Sequence, residues 1–314
     1  MKKIVILLSF LVASSINAQE LKFGYPSTPA GAFAIVANKL DIWKKYQLNI
    51  SLVEQAAAIN VRDALVGGSL DVGFVGLSNF VVAVAAGAPM VTIGVAVDQC
   101  AATALVVKKN SSIKSIADLR GKKVGSEVAT VTHGSLTNGV LPKSKLSTKE
   151  IQIVNVRFRD MISALLSDSV DAVTAVEPFL SQAENAGSIR VLTDFCPFAP
   201  VPVLIATSKE TLEKKAASEK LFMSALLEVA QVFAKQPEKA AQIYGEELRA
   251  KGFDIPQPVV LQIIKRLNIS PDRVRLSPNM LTYLQDEAQR MKASGQIDTV
   301  PDLKGAIDLS IAGK

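Results

Sequence analysis

Residues 62–79 read RDALVGGSLDVGFVGLSN, and residues 160–179 read DMISALLSDSVDAVTAVEPF. Each stretch begins with the pattern of a short helix, passes through a turn and ends in an apolar strand. The matched order of elements predicts two similar α/β lobes made from one chain, and such lobes commonly face each other across a ligand-binding cleft. Alignment of the two stretches superposes four identical residues, namely Ala64, Leu65, Ser69 and Asp71 on Ala164, Leu165, Ser169 and Asp171.

The repeat extends upstream of these stretches, where an apolar strand leads into a polar loop and a helix in both copies. LKFGYPSTPAG surrounds Gly24, and KKVGSEVATVTHG surrounds Gly125. Strands that alternate with helices predict a largely parallel sheet covered on both faces. ALVVKK (104–109) leads out of the first lobe, and PVPVLIAT (200–207) returns to it.

From about residue 209 the pattern is helical, and we expect this tail to pack on the first lobe. The helical period predicts four core contacts there, at Leu221, Leu226, Val229 and Phe233.

The amino terminus carries the pattern of an export signal. Lys2-Lys3 precedes the apolar run IVILLSFLVA, and small residues follow up to Ala18. Charge, length and cleavage pattern predict a cleaved signal peptide over residues 1–18, and the run is too short for a membrane span. We therefore expect a periplasmic product with a first lobe over residues 19–105 and 203–314 and a second over 106–202.

Composition narrows the function classes. The chain has 35 Lys+Arg and 29 Asp+Glu for a net charge of +6, spread without a basic block. This pattern disfavours nucleic-acid binding and weakly favours a small anionic ligand. With one histidine, no GxSxG and no phosphate-binding glycine loop, we predict no catalysis, no metal and no cofactor. Cys100 and Cys196 directly precede the two lobe-connecting segments, so a disulfide and two separate buried thiols both stay open.

The repeat also predicts the position of the ligand site. Open α/β sheets bind ligands beyond the carboxyl ends of their strands, where helix N-termini present unpaired N–H groups to anions. Ser78 and Thr132 can alternatively be helix caps without ligand contact. The predicted ligand-binding residues are Ser27, Thr28, Gln55, Ser78 and Asn79 in the first lobe and Thr130, Thr132, His133 and Glu177 in the second.

Two of these residues carry alternatives that the sequence leaves open. His133, the single histidine, either donates a hydrogen bond to a ligand oxygen or packs locally as a neutral ring. Glu177 either accepts hydrogen bonds from a ligand amine or hydroxyl, or pairs with Arg157 or Arg159 and organises the hinge side.

In this order and spacing, the chain resembles the nitrate/sulfonate/taurine-type substrate-binding proteins of ABC importers. The resemblance lies in the signal peptide, LVGGSLDVGFVG, ALVVKK before SIADLRGKKVG, ATVTHGSL and LLSDSVDAVTAVEP. It implies a two-lobed periplasmic-binding-protein fold (type II-like) with two crossover strands as hinge and a helical C-terminal tail. It also implies a monomer that captures a small anion and delivers it to an inner-membrane ABC permease. The ligand contacts implied are Ser27, Thr28, Ser78, Thr130, Thr132 with His133, and the region of Glu177.

One departure from the resemblance bears on the ligand. Taurine binders of this kind are expected to offer a carboxylate from the returning strand, whereas here VPVLIA is apolar around Val203. Taurine is therefore disfavoured, and a sulfonate, nitrate or related anion stays open. Binders of a thiamine-pyrimidine precursor share the fold but surround the ligand with aromatic rings, and near the front loops this chain has Tyr25, Trp43 and scattered Phe. A periplasmic sensor subunit would use the same cleft.

Overall fold

The structure is a computed structural model that describes residues 19–311. The predicted signal peptide, residues 1–18, lies outside the described residues. The strands are β1 Leu21–Pro26, β2 Ile50–Gln55, β3 Val72–Gly76, β4 Met90–Asp98, β5 Thr103–Lys108, β6 Lys123–Ser126, β7 Gln152–Asn155, β8 Ala172–Val176, β9 Ile189–Asp194 and β10 Pro202–Ser208. The α-helices are α1 Ala32–Lys39, α2 Ile42–Lys45, α3 Ala58–Val66, α4 Leu77–Ala85, α5 Val131–Ser135, α6 Leu141–Lys143, α7 Met161–Leu166, α8 Phe179–Asn185, α9 Lys209–Lys235, α10 Pro237–Ala250, α11 Gln257–Leu267, α12 Pro271–Val274 and α13 Pro278–Ala293.

The strands form two five-stranded sheets of matching design. The first has the order β2-β1-β3-β10-β4 and the second the order β7-β6-β8-β5-β9. In the first sheet β10 runs antiparallel to both of its neighbours, and in the second β5 does the same. Four strands of each sheet therefore share one direction, which confirms the largely parallel sheets predicted from the alternating pattern.

The residues shared by the two copies have the same structural role in both. The Asp71 carboxylate accepts from the backbone N–H of Lys22 at 2.8 Å, and the Asp171 carboxylate accepts from the N–H of Lys123 at 2.8 Å. In each case the aspartate amide also bonds back to the carbonyl of the same lysine, at 2.9 Å. Each aspartate thereby joins the turn after a helix to the start of the neighbouring parallel strand. The sequence repeat therefore corresponds to the same contact between two parallel strands in both lobes.

The C-terminal helices pack on the first sheet as predicted. Leu226, Val229 and Phe233 of α9 are buried in the core that also contains β1 and β3, whereas Leu221 is 42% exposed. The prediction of Leu221 as a core residue is wrong by one position, because the neighbouring Phe222 is fully buried and packs on Phe23 and Trp43. Phe222, Leu226, Val229 and Phe233 follow one helical period, and Leu221 falls on the adjacent exposed face.

Two short segments connect the sheets and are tied to each other. Cys100 and Cys196 form a disulfide with a Cα–Cα distance of 4.7 Å, which settles the alternative that the sequence left open. The Asp98 carboxylate accepts from the N–H groups of Cys100 at 3.1 Å and Val201 at 2.7 Å, so it also joins both segments. Burial raises the pKa of Asp98 and outweighs the opposite effect of these two amides. The lobe boundaries predicted at 105/106 and 202/203 stay a prediction; the sheet membership changes between β4 and β5 and between β9 and β10.

Candidate functional site

The predicted loops lie at equivalent strand ends in the two sheets. Pro26 at the end of β1 is in register with Gln55 at the end of β2, and Ser126 at the end of β6 is in register with Asn155 at the end of β7. The strands of each pair are parallel, so the loops that follow them leave from the same edge of the sheet. The geometry therefore places the two candidate loop sets at the edges where α/β proteins bind ligands.

Ser78 at the start of α4 has an unpaired hydroxyl. The residue is only 6% exposed, and its Oγ atom has no hydrogen-bond partner among the described residues. The N-cap of α4 is Gly76, so the alternative that Ser78 caps this helix is wrong. Asn79 follows in the first turn and is buried to the same extent. A buried hydroxyl without a partner is costly, and the Ser78 hydroxyl is therefore available to donate a hydrogen bond to a bound group.

Thr130 rather than Thr132 is the cap of α5 in the second lobe. Thr130 Oγ1 accepts from the backbone N–H of His133 at 3.2 Å and donates to the carbonyl of Glu127 at 2.7 Å. Its one hydroxyl proton is therefore used within the loop. Thr132 lies inside the first turn of α5 and is 3% exposed. As ligand contacts, both threonines stay predictions.

His133 is held by a hydroxyl pair in the second lobe. Its Nδ1 atom lies 3.2 Å from Ser126 Oγ, which in turn lies 3.3 Å from Thr174 Oγ1. Burial lowers the pKa of His133, so the ring is neutral at pH 7. Within residues 19–311 the ring makes no other hydrogen bond. If Nδ1 accepts from Ser126, Nε2 carries the proton and can donate it to a ligand oxygen.

The start of α4 meets the start of α5 across the two lobes. A Cβ atom placed on Gly134 would lie 3.0 Å from Ser78 Oγ, and one placed on Gly76 would lie 3.5 Å from the Val131 side chain. The absence of a side chain at Gly134 thus allows this close approach. The structure brings Ser78 and Asn79 of the first lobe together with the His133 region of the second.

The other predicted residues are engaged elsewhere. Ser27 Oγ donates to Glu54 at 2.6 Å on the surface of the first lobe, and the Thr28 carbonyl accepts from Gly31 in a short helical turn. Within the described part of the chain, no hydrogen bond joins Ser27, Thr28 or Gln55 to the second lobe. Their role in ligand binding stays a prediction.

Glu177 has a partner that the sequence did not reveal. Its carboxylate accepts from Ser181 Oγ at 2.7 Å and from Arg266 Nη1 at 2.8 Å, and only 1% of the side chain is exposed. The alternative that Glu177 pairs with Arg157 or Arg159 is therefore wrong. Burial alone would lower the pKa of Arg266, but hydrogen bonds to Glu177 and Glu184 outweigh it and raise the pKa.

A second contact missed by the sequence reasoning comes from α13. Glu287 is 2% exposed, and its carboxylate accepts from Asn138 Nδ2 of the second lobe at 2.9 Å and from Arg290 at 2.8 Å. No sequence signal links residues so far apart along the chain. The tail, which we expected only to support the first lobe, therefore also reaches the second.

A surface cavity of about 530 Å³ lies between α2 and α9. It is lined by Lys45, Glu228 and Arg275 among others, and it contains none of the predicted ligand residues.

None of the helices in residues 19–311 is long and apolar enough to cross a membrane.

Two matched α/β lobes, joined by paired crossover segments and in contact through helix N-termini, define a two-lobed binding protein of the periplasmic-binding-protein fold. A fold of this kind captures a small molecule between its lobes.

The chain belongs to the NMT1/THI5-like family, whose model matches residues 28–240. It is 29% identical to an Escherichia coli K12 protein named as an aliphatic sulfonates-binding protein. The alignment spans 253 residues and covers 80% of this chain and 77% of the relative. A Haemophilus influenzae protein named for thiamine biosynthesis is 27% identical over 224 residues, 69% of each chain. The alkanesulfonate-binding protein of Xanthomonas axonopodis pv. citri, solved with MOPS bound, superposes with a TM-score of 0.80 at 22% identity, covering 92% of this chain and 98% of that one.

Proposed function

We propose that this protein is the periplasmic substrate-binding component of an ABC importer and that it captures an alkanesulfonate between its lobes without chemical change. The observation that carries the proposal is the buried, unpartnered hydroxyl of Ser78, which lies where α4 of one lobe meets α5 of the other. A sulfonate oxygen would accept from this hydroxyl and from the free N–H groups at the start of α4. The names of the family relatives are consistent with this ligand class.

The acidic groups near the lobe contact argue against a ligand amine. Glu177 is paired with Arg266, and Glu287 is paired with Arg290. Val203 and its neighbours on β10 are buried and apolar. An ammonium group such as that of taurine would find no free carboxylate among these residues, so we expect simple alkanesulfonates to bind more tightly than taurine.

The aromatic residues argue against a thiamine-pyrimidine ligand. Tyr25 is 7% exposed, and Trp43 is 5% exposed and stacked on Phe222 with 5.5 Å between the ring centroids. These rings are part of the core of the first lobe. They are therefore not available to stack on a flat heterocycle in the cleft.

The ligand class is tested by a thermal-shift and calorimetry panel with ethanesulfonate, MOPS, taurine, nitrate and a thiamine pyrimidine. A ligand that binds only the folded protein raises the melting temperature. We expect the largest shift with ethanesulfonate or MOPS. A shift with the pyrimidine alone would overturn the sulfonate assignment and favour the alternative.

The site is tested by Ser78→Ala. Each lost hydrogen bond to a charged group costs about 1.5–3 kcal/mol, so affinity should fall by roughly 10- to 150-fold. The stability of the unliganded variant should not fall, because the hydroxyl has no partner within residues 19–311. Ser144→Ala is the matched control, since Ser144 Oγ is also buried without a partner among the described residues but lies at the end of α6. Equal affinities of both variants and the native protein would refute this placement.

The export step is tested by expression with the full N-terminus. Cleavage after Ala18 predicts a periplasmic protein that begins at Gln19, which mass spectrometry of the periplasmic fraction detects. A protein that keeps residues 1–18 would contradict the periplasmic assignment.

A further inference from the structure

Arg266 of α11 makes a charged contact between the lobes. Its Nη1 atom donates to Glu177 at 2.8 Å and to Ser181 Oγ at 2.9 Å, and its Nη2 atom lies 2.7 Å from Glu184. Helix α11 packs in the core of the first lobe, whereas Glu177 and Glu184 lie before and within α8 of the second. One guanidinium thus bridges two carboxylates that belong to the opposite lobe.

The contact differs from the hydrogen bond between Asn138 and Glu287, and Gln262 of α11 adds a longer hydrogen bond of 3.5 Å to Glu184. Glu287 of α13 also bonds to the second lobe, but its charge is already balanced by Arg290 on the same helix. Arg266 has no carboxylate partner in the first lobe among the described residues. Opening of the lobes would therefore leave the Glu287–Arg290 pair intact and would separate Arg266 from both of its carboxylates.

The environment makes this separation costly. Only 23% of the Arg266 side chain and 1% of the Glu177 side chain are exposed. A charge-assisted hydrogen bond in such a partly desolvated place is stronger than a surface ion pair. The Glu177 carboxylate is also fixed by two bonds from Ser181, so the acceptor is already oriented.

We propose that Arg266 is a positioning residue that sets how far the unliganded protein is closed, and through this the affinity for ligand, without touching the ligand. The link to affinity rests on the proposed function, whereas the link to closure does not. For a ligand that binds only the closed form, the apparent Kd equals the Kd of the closed form divided by the fraction of molecules that are closed. Loss of the Arg266 contact should therefore weaken binding by about tenfold or more.

Closure is measured directly by spin labels on two exposed residues that the repeat aligns with each other, Asn60 at the start of α3 and Asp160 before α7. Cysteines introduced there can be labelled selectively because Cys100 and Cys196 are bonded to each other. Pulsed distance measurements on the unliganded protein would compare the native residue with Arg266→Gln and Arg266→Lys. Lys265→Gln is the matched control, because it removes a positive charge from the residue directly before Arg266. The ion pair of Lys265 with Glu238 lies within the first lobe, so its loss should not affect closure.

We expect Arg266→Gln to shift the distances to larger values, Arg266→Lys to shift them less and Lys265→Gln to leave them unchanged. Ethanesulfonate, the probe for affinity, should bind Arg266→Gln about tenfold more weakly than the control. Unchanged distances in a folded Arg266→Gln protein would overturn the proposal, as would an equal shift in the control. If ethanesulfonate fails to bind the native protein, the proposed ligand is wrong, and the distances still decide the role of Arg266.

Discussion

Glu219 of α9 has a buried carboxyl group, and no charged side chain in residues 19–311 forms an ion pair with it. It is fully buried, Thr207 donates a hydrogen bond to Oε1, and Oε2 has no partner among the described residues. Burial is the largest cause that raises the pKa of Glu219, the carboxylates of Asp71 and Asp308 act in the same direction, and the Thr207 hydrogen bond and Lys215 lower it. The resulting pKa is about 7. The folded protein therefore keeps this group protonated over a pH range where the unfolded chain does not.

This difference gives a stability change with a definite sign. Below a pH of about 4.5 the group is protonated in both states and has no effect on the free energy of unfolding. Between about 4.5 and 7 the unfolded chain ionises first, so stability falls as pH rises. Above 7 the loss is complete, and a shift of that size corresponds to about 3 kcal/mol.

Glu219→Gln removes the ionisation while keeping the shape and the acceptor for Thr207. We expect the variant to match the native protein at pH 4 and to exceed its free energy of unfolding by up to about 3 kcal/mol at pH 8. Urea denaturation of both proteins at several pH values and constant ionic strength measures this difference. A difference that does not change with pH would refute the reasoning. Glu287→Gln is the control, because it breaks the pair with Arg290 and should lower stability at pH 8.

Three further predictions concern the lobe contact, the crossover segments and the repeat. Gly134→Ala places a methyl group 3.0 Å from Ser78 Oγ, closer than ordinary van der Waals contact, so the starts of α4 and α5 must move apart and calorimetry should show weaker ligand binding. Cys100→Ser combined with Cys196→Ser opens a loop with a sequence separation of 96 and should lower the free energy of unfolding in urea by about 4–5 kcal/mol. Asp171→Ala removes the acceptor for the first amide of β6 and should cost about 1–2 kcal/mol in the same assay, and an unchanged midpoint would contradict the role given to the repeat.

The fold could be predicted from the sequence because its determinants are local and occur twice. The helix, turn and strand around Asp71 and around Asp171 follow the same periodicity, and the structure shows the same hydrogen bonds in both. In α9 the buried face follows the helical spacing of Phe222, Leu226, Val229 and Phe233, and the predicted Leu221 lies one position outside it.

The candidate site could be predicted only in part. Strand ends indicated the loops of Ser78 and His133, and the structure brings these loops together. The partner of Glu177 could not be predicted, because Arg266 is 89 positions away and lies in a tail whose pattern indicates only helices. Contacts between lobes are long-range and depend on how the two folded lobes pack on each other, so they produce no periodic pattern in the sequence of either segment.

The disulfide between the crossover segments makes the second lobe a covalent ring attached to the first at one point. The chain leaves and re-enters the first lobe through residues whose Cα atoms are 4.7 Å apart, little more than the roughly 3.8 Å between neighbours in a chain. All strands of the second sheet, β5 to β9, lie inside this ring. In topology the second lobe is therefore an insertion: the strand order of the first sheet, β2-β1-β3-β10-β4, uses no strand from inside the ring.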